Sequence, residues 1–173
     1  MPRNILKTLQ SEHDALRDLF AEINDTTDRA KKGRTQLLEA IEQNLLPHAK
    51  WEETVFYPAF AERADRDGLK THAEAVLEHH AVEDVVIPEV HAADPDTPEF
   101  AGRVKVFGEL IDHHAKEEES TMFKLARKLF SAEELASFDE QYEEWKQSNA
   151  ASLVIAGEKG KTQLKSAMKS LTG

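Results

Sequence analysis

The chain has 173 residues, 40% of them apolar and 32% charged, enough for one domain that buries a real core. It has no cysteine, which excludes disulfides, zinc–thiolate sites and thiol chemistry, and its net charge of −11 argues against the basic face that nucleic-acid binding needs. No apolar run approaches the roughly 20 residues that span a bilayer, and the first residues lead into no signal-peptide core, so a cytoplasmic protein without membrane or nucleic-acid partners is expected.

With only 7 Gly and 6 Pro, and Ala, Leu, Glu and Lys abundant, the composition points to helix. From Asn4 to about Lys31, Ile5, Leu6, Leu9, Leu16, Phe20 and Ile23 recur at three-and-four spacing, with His13 inside that apolar stripe. Lys31-Lys32-Gly33-Arg34 reads as the closing turn. A second helix is predicted from about Thr35, with Leu38, Ile41, Leu45, His48, Glu52, Val55, Phe56 and Ala59 facing inward and a loosening at Pro47. A turn follows around residues 61–68. The third helix is predicted over about Leu69–Val90, with His72, Ala75, Val76, His79, Val82, Val86 and Val90 on one face and Pro88 bending or ending it. Asp94-Pro95-Asp96-Thr97-Pro98 is the clearest break, and Thr97-Pro98 supplies an N-cap and a first-turn proline. The fourth helix then runs to about Leu129 with Val106, Phe107, Leu110, Ile111, His114, Glu118, Met122 and Leu125 aligned. Ser131-Ala132-Glu133-Glu134 is a capping box opening a shorter helix to about Asn149. After Ser152 the chain turns basic, and Leu164, Met168 and Leu171 could form a weak amphipathic turn; a frayed tail is expected, with a dimer or partner contact second.

Four long helices with short connections favour an all-α, up-and-down antiparallel four-helix bundle over residues 1–130, an additional helix over 131–150 and a tail over 151–173. The bundle carries an internal repeat. His48-Ala49-Lys50-Trp51-Glu52-Glu53 recurs as His114-Ala115-Lys116-Glu117-Glu118-Glu119, an offset of 66 residues, and the same offset carries Glu12-His13 onto Glu78-His79. Each half therefore offers a His and, 35 residues later, a His-x-x-x-Glu. Counted from Gly33 and from the Asp94–Pro98 break, these residues reach similar heights, since each helix rises 1.5 Å per residue. Around Gly68 the count agrees less well and calls for a partly non-helical stretch after Pro58.

His and Glu four apart share a helix face and can hold one cation. With 22 Glu and eight His, about one such pair is expected by chance; four occur, and two lie in the repeated hexamer on an inner stripe. Glu52 and Glu118 among Leu, Ile, Val and Phe would be costly to bury without a compensating charge, which a metal pair supplies. Donors restricted to nitrogen and oxygen favour iron or manganese over structural zinc. The candidate ligands are His13, His48, Glu52, His79, His114 and Glu118, with Glu83 as a weaker seventh. His72 reads as a neighbour of the site, His80, His91 and His113 as surface residues, and Trp51, Phe56, Tyr57 and Phe123 as packing around it.

This pattern, His…His-x-x-x-Glu…His…His-x-x-x-Glu over about residues 5–130, resembles the hemerythrin family and most closely its HHE cation-binding branch. The resemblance implies a four-helix bundle and a centre of two iron ions, oxo- or hydroxo-bridged and spanned by carboxylates, with manganese or zinc as substitutes and dioxygen, nitric oxide or peroxide as ligand. Two features depart from the oxygen carriers. Glu83 stands where they have a second histidine on the third helix, and Glu118 follows the last His by four where they place an aspartate at five. Three expectations follow: a dioxygen- or nitric-oxide-binding or sensing protein, a peroxide-consuming oxidoreductase, or an iron-responsive interaction module.

Overall fold

A computed structural model describes residues 3–172, with only the backbone of Thr162 and of residues 164–172. The described residues form helices and turns only. Helix α1 spans Ile5–Asn24. Helix α2 runs Lys31–Trp51, continues through a π-helical turn at Glu52–Phe56, and ends as Tyr57–Arg63. Helix α3 has the same build: Arg66–Ala81, a π turn at Val82–Val86, then Ile87–His91. So does α4, with Pro98–Glu117, a π turn at Glu118–Met122, and Phe123–Leu129. Helices α5 (Ala132–Gln147) and α6 (Asn149–Thr172) follow. Among the described residues no helix is long and apolar enough to cross a membrane.

Helices α1 to α4 pack in cyclic order as an antiparallel up-and-down bundle; α5 lies across α1 and α2, and α6 rests on α2, α3 and α5. The stripe expected on α1 is the one buried, His13 included. Its Asn4 side chain caps the helix by accepting from the Leu6 N–H, and Thr97 and Ser131 cap α4 and α5 in the same way, Ser131 within the full capping box.

Helix boundaries differ from expectation at two turns. Helix α1 ends at Asn24, and Lys31-Lys32-Gly33-Arg34 opens α2 instead of closing α1. The reason is Arg34, whose buried guanidinium donates to the Thr26 hydroxyl and carbonyl and to the Pro95 carbonyl, pinning the intervening loop. The second turn is only Ala64-Asp65, so no non-helical stretch follows Pro58. Asp65 caps α3 through the Gly68 N–H, and a Cβ on Gly68 would sit 2.9 Å from that of Ala64, so glycine is what lets the two helices meet so closely.

The π turns explain which faces are buried. One extra residue per turn shifts the inner face forward, so Tyr57 and Phe123 are buried, as expected, together with Phe60 and Ala126, while Val55, Ala59 and Leu125, expected on the inner face, are only half-buried. Pro58 and Pro88, lacking an N–H, each lie six residues past the start of a π turn, where an α-helical bond would otherwise form. Helix α2 passes through Pro47 to reach that point. In the first turns of α4 the buried residues are Phe100, Val104, Phe107 and Ile111; Val106 and Leu110, expected inside, are exposed. The segment expected to fray is the helix α6, with Ala151 buried and Val154 against the core; the side chains of Leu164, Met168 and Leu171 lie outside the described residues.

The core is split. One apolar cluster, around Leu16, Phe20, Leu45, Ile87 and Phe107, fills one end of the bundle, and a second, around Leu9, Trp51, Phe56, Phe60 and Phe123, fills the other. A polar layer lies between them.

Candidate metal centre

That layer contains His13 from α1, His48 and Glu52 from α2, His79 from α3, and His114 and Glu118 from α4, every one of them buried. Their donor atoms form two groups, His13, His48, Glu52 and Glu118 on one side and Glu52, His79 and His114 on the other, each within 4.8 Å. Glu52 belongs to both: Oε1 is 3.2 Å from His48 Nε2 and Oε2 is 3.7 Å from His79 Nε2. Glu118 Oε2 likewise lies 3.4 Å from His13 Nε2 and 3.8 Å from His114 Nε2. His79 Nε2 and His114 Nε2 face each other at 3.0 Å.

Each ring is aimed from behind by a carboxylate. His13 Nδ1 pairs with Glu119 at 2.9 Å, His48 Nδ1 with Glu12 at 2.8 Å, His79 Nδ1 with Glu53 at 3.2 Å and His114 Nδ1 with Glu78 at 2.7 Å. An N–H donated from Nδ1 leaves the Nε2 lone pair of the neutral imidazole pointing inward, the arrangement that suits a metal. The four supporting carboxylates obey the repeat: an offset of 66 relates Glu12 to Glu78, each supporting a ring of its own half, and Glu53 to Glu119, each supporting a ring of the other half. Their roles were missed from sequence, although each is the chain neighbour of a candidate ligand.

The electrostatics of the layer are those of a site built for a cation. His13 Nε2, both oxygens of Glu52 and Glu118 Oε2 are buried without a hydrogen-bond partner. Leaving such groups unmatched in an apolar interior costs several kcal/mol each, about 1–3 or more per group. Burial opposes charge on His48, yet the nearby carboxylates of Glu52 and Glu12 outweigh it and hold its pKa up at about 10; His114 is raised for the same kind of reason, by Glu118 and Glu78. Burial would lift Glu118, but His114 and His13 draw it well below the usual carboxylate range. The donor set, imidazole and carboxylate with orphaned atoms turned inward, therefore fits a metal.

Tyr57, expected only to pack, reaches into the layer because the π turn rotates it inward. Its hydroxyl donates to Glu118 Oε1 at 2.8 Å and lies 3.3 and 3.4 Å from the Nε2 atoms of His79 and His114. Its pKa is pushed well above normal by burial and by the charges of Glu118 and Glu52. The repeat places Phe123 at the matching position, stacked 6.0 Å from His13, so the halves differ in one phenol. His72 packs edge-on to Tyr57 at 5.9 Å.

Glu83 does not converge with the other six. It lines a small apolar cavity of about 20 Å³ on the other side of the layer, together with the four rings, Leu45, Val82 and Ile111. Its carboxyl is raised by burial and by Glu53 and Glu158. His80, His91 and His113 are exposed, as expected, and His91 pairs with the buried Glu42.

Helix α5 also reaches the site. Tyr142 Oη and Lys146 Nζ both donate to Glu12, at 2.6 and 2.8 Å, and so brace His48 from the third rank.

Comparison with known proteins agrees with this geometry. The sequence pattern of the hemerythrin HHE cation binding domain matches residues 4–126. A hemerythrin HHE cation binding domain-containing protein from Mycobacterium kansasii superposes with a TM-score of 0.70 at 19% identity, over 88% of this chain and 98% of that one, a likeness of fold. A protein of Nostoc sp. (strain PCC 7120 / SAG 25.82 / UTEX 2576) described as a DNA nickase is 27% identical over 134 residues, which are 76% of this chain but 36% of that protein, so the chain spans about a third of its relative. With its six inward-facing donors, its repeat and the match over most of its length, the chain belongs to the hemerythrin HHE cation-binding family and is a metal-binding helical bundle.

Proposed function

We propose that the protein holds two iron ions and binds a small oxidant, dioxygen or nitric oxide, beside them. The reading is carried by one observation: the four buried imidazoles that meet the orphaned oxygens of Glu52 and Glu118 also line a small, largely apolar cavity of about 20 Å³. His13 and His48 would hold one ion and His79 and His114 the other, with Glu52 and Glu118 reaching both. Donors of nitrogen and oxygen without sulfur suit iron, with manganese or zinc as substitutes. Bound iron would supply one-electron redox chemistry and an open coordination position.

The remaining roles fall to the chain. Glu12, Glu53, Glu78 and Glu119 fix the rings and raise their basicity. Leu16, Leu45, Leu46, Val82, Ile87 and Ile111 keep water out of the cavity. Tyr57 keeps its proton and offers it to Glu118.

A peroxide-consuming activity is the second reading. It is favoured by Glu83, a carboxyl at the cavity wall whose pKa burial, Glu53 and Glu158 raise, so that it would hold a proton on its own oxygen beside the site. The Nostoc relative described as a DNA nickase is covered over only 36% of its length, and the net charge of −11 here would repel a phosphate backbone.

Anaerobic loading with ferrous iron, followed by exposure to dioxygen, nitric oxide or peroxide, tests the proposal. An oxo-to-iron absorption band or a nitrosyl spectrum is the expected result, and oxygen release from peroxide that falls with Glu83→Gln selects the second reading. Protein that takes up iron and changes its spectrum with none of the three overturns both.

A further inference from the structure

The pseudo-two-fold relation between the halves holds for the inner layer and fails just outside it. In the first half, Glu12 supports His48 through Oε2 and has the Lys146 ammonium 2.8 Å from Oε1. That half is roofed by α5, with Trp51 packed on Tyr142 at 4.8 Å between ring centres. In the second half, Glu78 supports His114 through Oε2 in the same way, at 2.7 Å. Its Oε1 faces outward, with no α5 over it.

The residues flanking that outer oxygen differ correspondingly. The offset of 66 turns Pro47 into His113 and Trp51 into Glu117, an apolar pair into two metal-ligating side chains four apart on one exposed face of α4. His113 Nε2 lies 3.5 Å from Glu78 Oε1 and 3.6 Å from Glu117 Oε1, and donor atoms of all three fall within 4.8 Å. These separations are long for N–H···O bonds. They are close to the edge of a tetrahedral zinc shell, about 3.3 Å for bonds of about 2.0 Å.

We infer that Glu78, His113 and Glu117 form a second, outer site for a divalent cation of the zinc class, completed by water, which occupies beside Glu78 the place that the Lys146 ammonium occupies beside Glu12. One nitrogen and two carboxylate ligands match zinc's borderline preference, and an exposed three-ligand site leaves an open position. The two oxygens of Glu78 serve different neighbours, so the outer ion and the support of His114 coexist. This inference uses the candidate ligands of the inner layer only as neighbours and stands apart from which metal that layer holds.

The test is zinc binding to the full chain already loaded with its inner metal, followed by equilibrium dialysis with elemental analysis and by calorimetry. One zinc ion per chain beyond the inner content is expected, with the inner metal retained. His113→Ala, at an exposed position, and Glu117→Gln, at a half-buried one, should weaken that binding about tenfold or more and leave the inner metal unchanged. Zinc uptake that is absent in the unaltered chain, or identical in the two variants, overturns the inference. Inner metal is counted in the same samples, so an inner layer without metal sinks the proposed function while the difference between variants still reads the outer site.

Discussion

Four glutamates do at the residue scale what the ligand pattern alone does not. A histidine on a helix can rotate about two side-chain bonds, and an Nδ1–H bond to Glu119, Glu12, Glu53 or Glu78 removes that freedom and selects the tautomer. Glu119→Gln is therefore expected to weaken metal binding about 10–100-fold without unfolding the bundle, measured by competition with a chelator. An affinity equal to that of the unaltered chain would show that the Glu119 charge plays no part in aiming His13. These glutamates were legible in principle, since the repeat carries Glu12-His13 and Glu52-Glu53 as units, but a carboxylate beside a ligand looks like a solvated charge until the partner helix is in place. Tyr57 was harder: its partner in the repeat is Phe123, and only the π turn brings its hydroxyl inward.

The pH response follows from the same residues. In the metal-free protein the folded pKa of His48, about 10, exceeds its ordinary 6.5, so its stabilising contribution is complete below about pH 6.5 and is lost as pH rises towards 10. Glu12 goes the opposite way. Burial works against its ionisation, but His48, Lys146 and Tyr142 hold its pKa down at about 2, so its contribution is present above about pH 4.5 and lost as pH falls towards 2. Metal binding displaces the imidazole protons and so strengthens with pH. The melting temperatures of metal-loaded and metal-free protein should thus diverge as pH rises from about 6 to 9. Curves that stay parallel over that range would contradict the linkage.

At the scale of the element, the π turns and the tight α2–α3 connection set the register of the layer. Helical spacing places His48, Glu52, His114 and Glu118 on the buried face, because His48 and His114 precede the π turns and Glu52 and Glu118 open them. Beyond each turn the phase jumps by one residue, and a reading that assumes an unbroken 3.6-residue period picks Val55 and Ala59 instead of Tyr57 and Phe60. Pro58 and Pro88 carry a local signal for two of the turns; the third, at Glu118–Met122, has no such mark. Gly68 tests the connection. With a Cβ only 2.9 Å from that of Ala64, Gly68→Ala must push α2 and α3 apart, and a loss of about 1–3 kcal/mol is expected by chemical denaturation. The gain in stability usual for Gly→Ala in an open helix is expected instead at Gly102, where nothing lies within 4 Å.

For the whole molecule, the bundle is two apolar clusters with a charged layer between them. Without a cation that layer is costly, with Glu52 buried with neither oxygen hydrogen-bonded and Glu118 buried with only Oε1 satisfied, by Tyr57. The repeat, the helix order and the six inward groups could be read from the sequence because duplication leaves the same spacing twice. The helical α6 could not, since its basic, glycine-containing stretch gains its order from packing on α2, α3 and α5.

Metal content per chain, measured on the unaltered protein and on His114→Ala and His113→Ala prepared identically, bears on the layer most directly. About two firmly held ions are expected for the unaltered chain and for His113→Ala, and most of that content should be gone in His114→Ala. Equal losses in the two variants, or an unaltered chain that holds no metal even after reconstitution with ferrous iron, would contradict it.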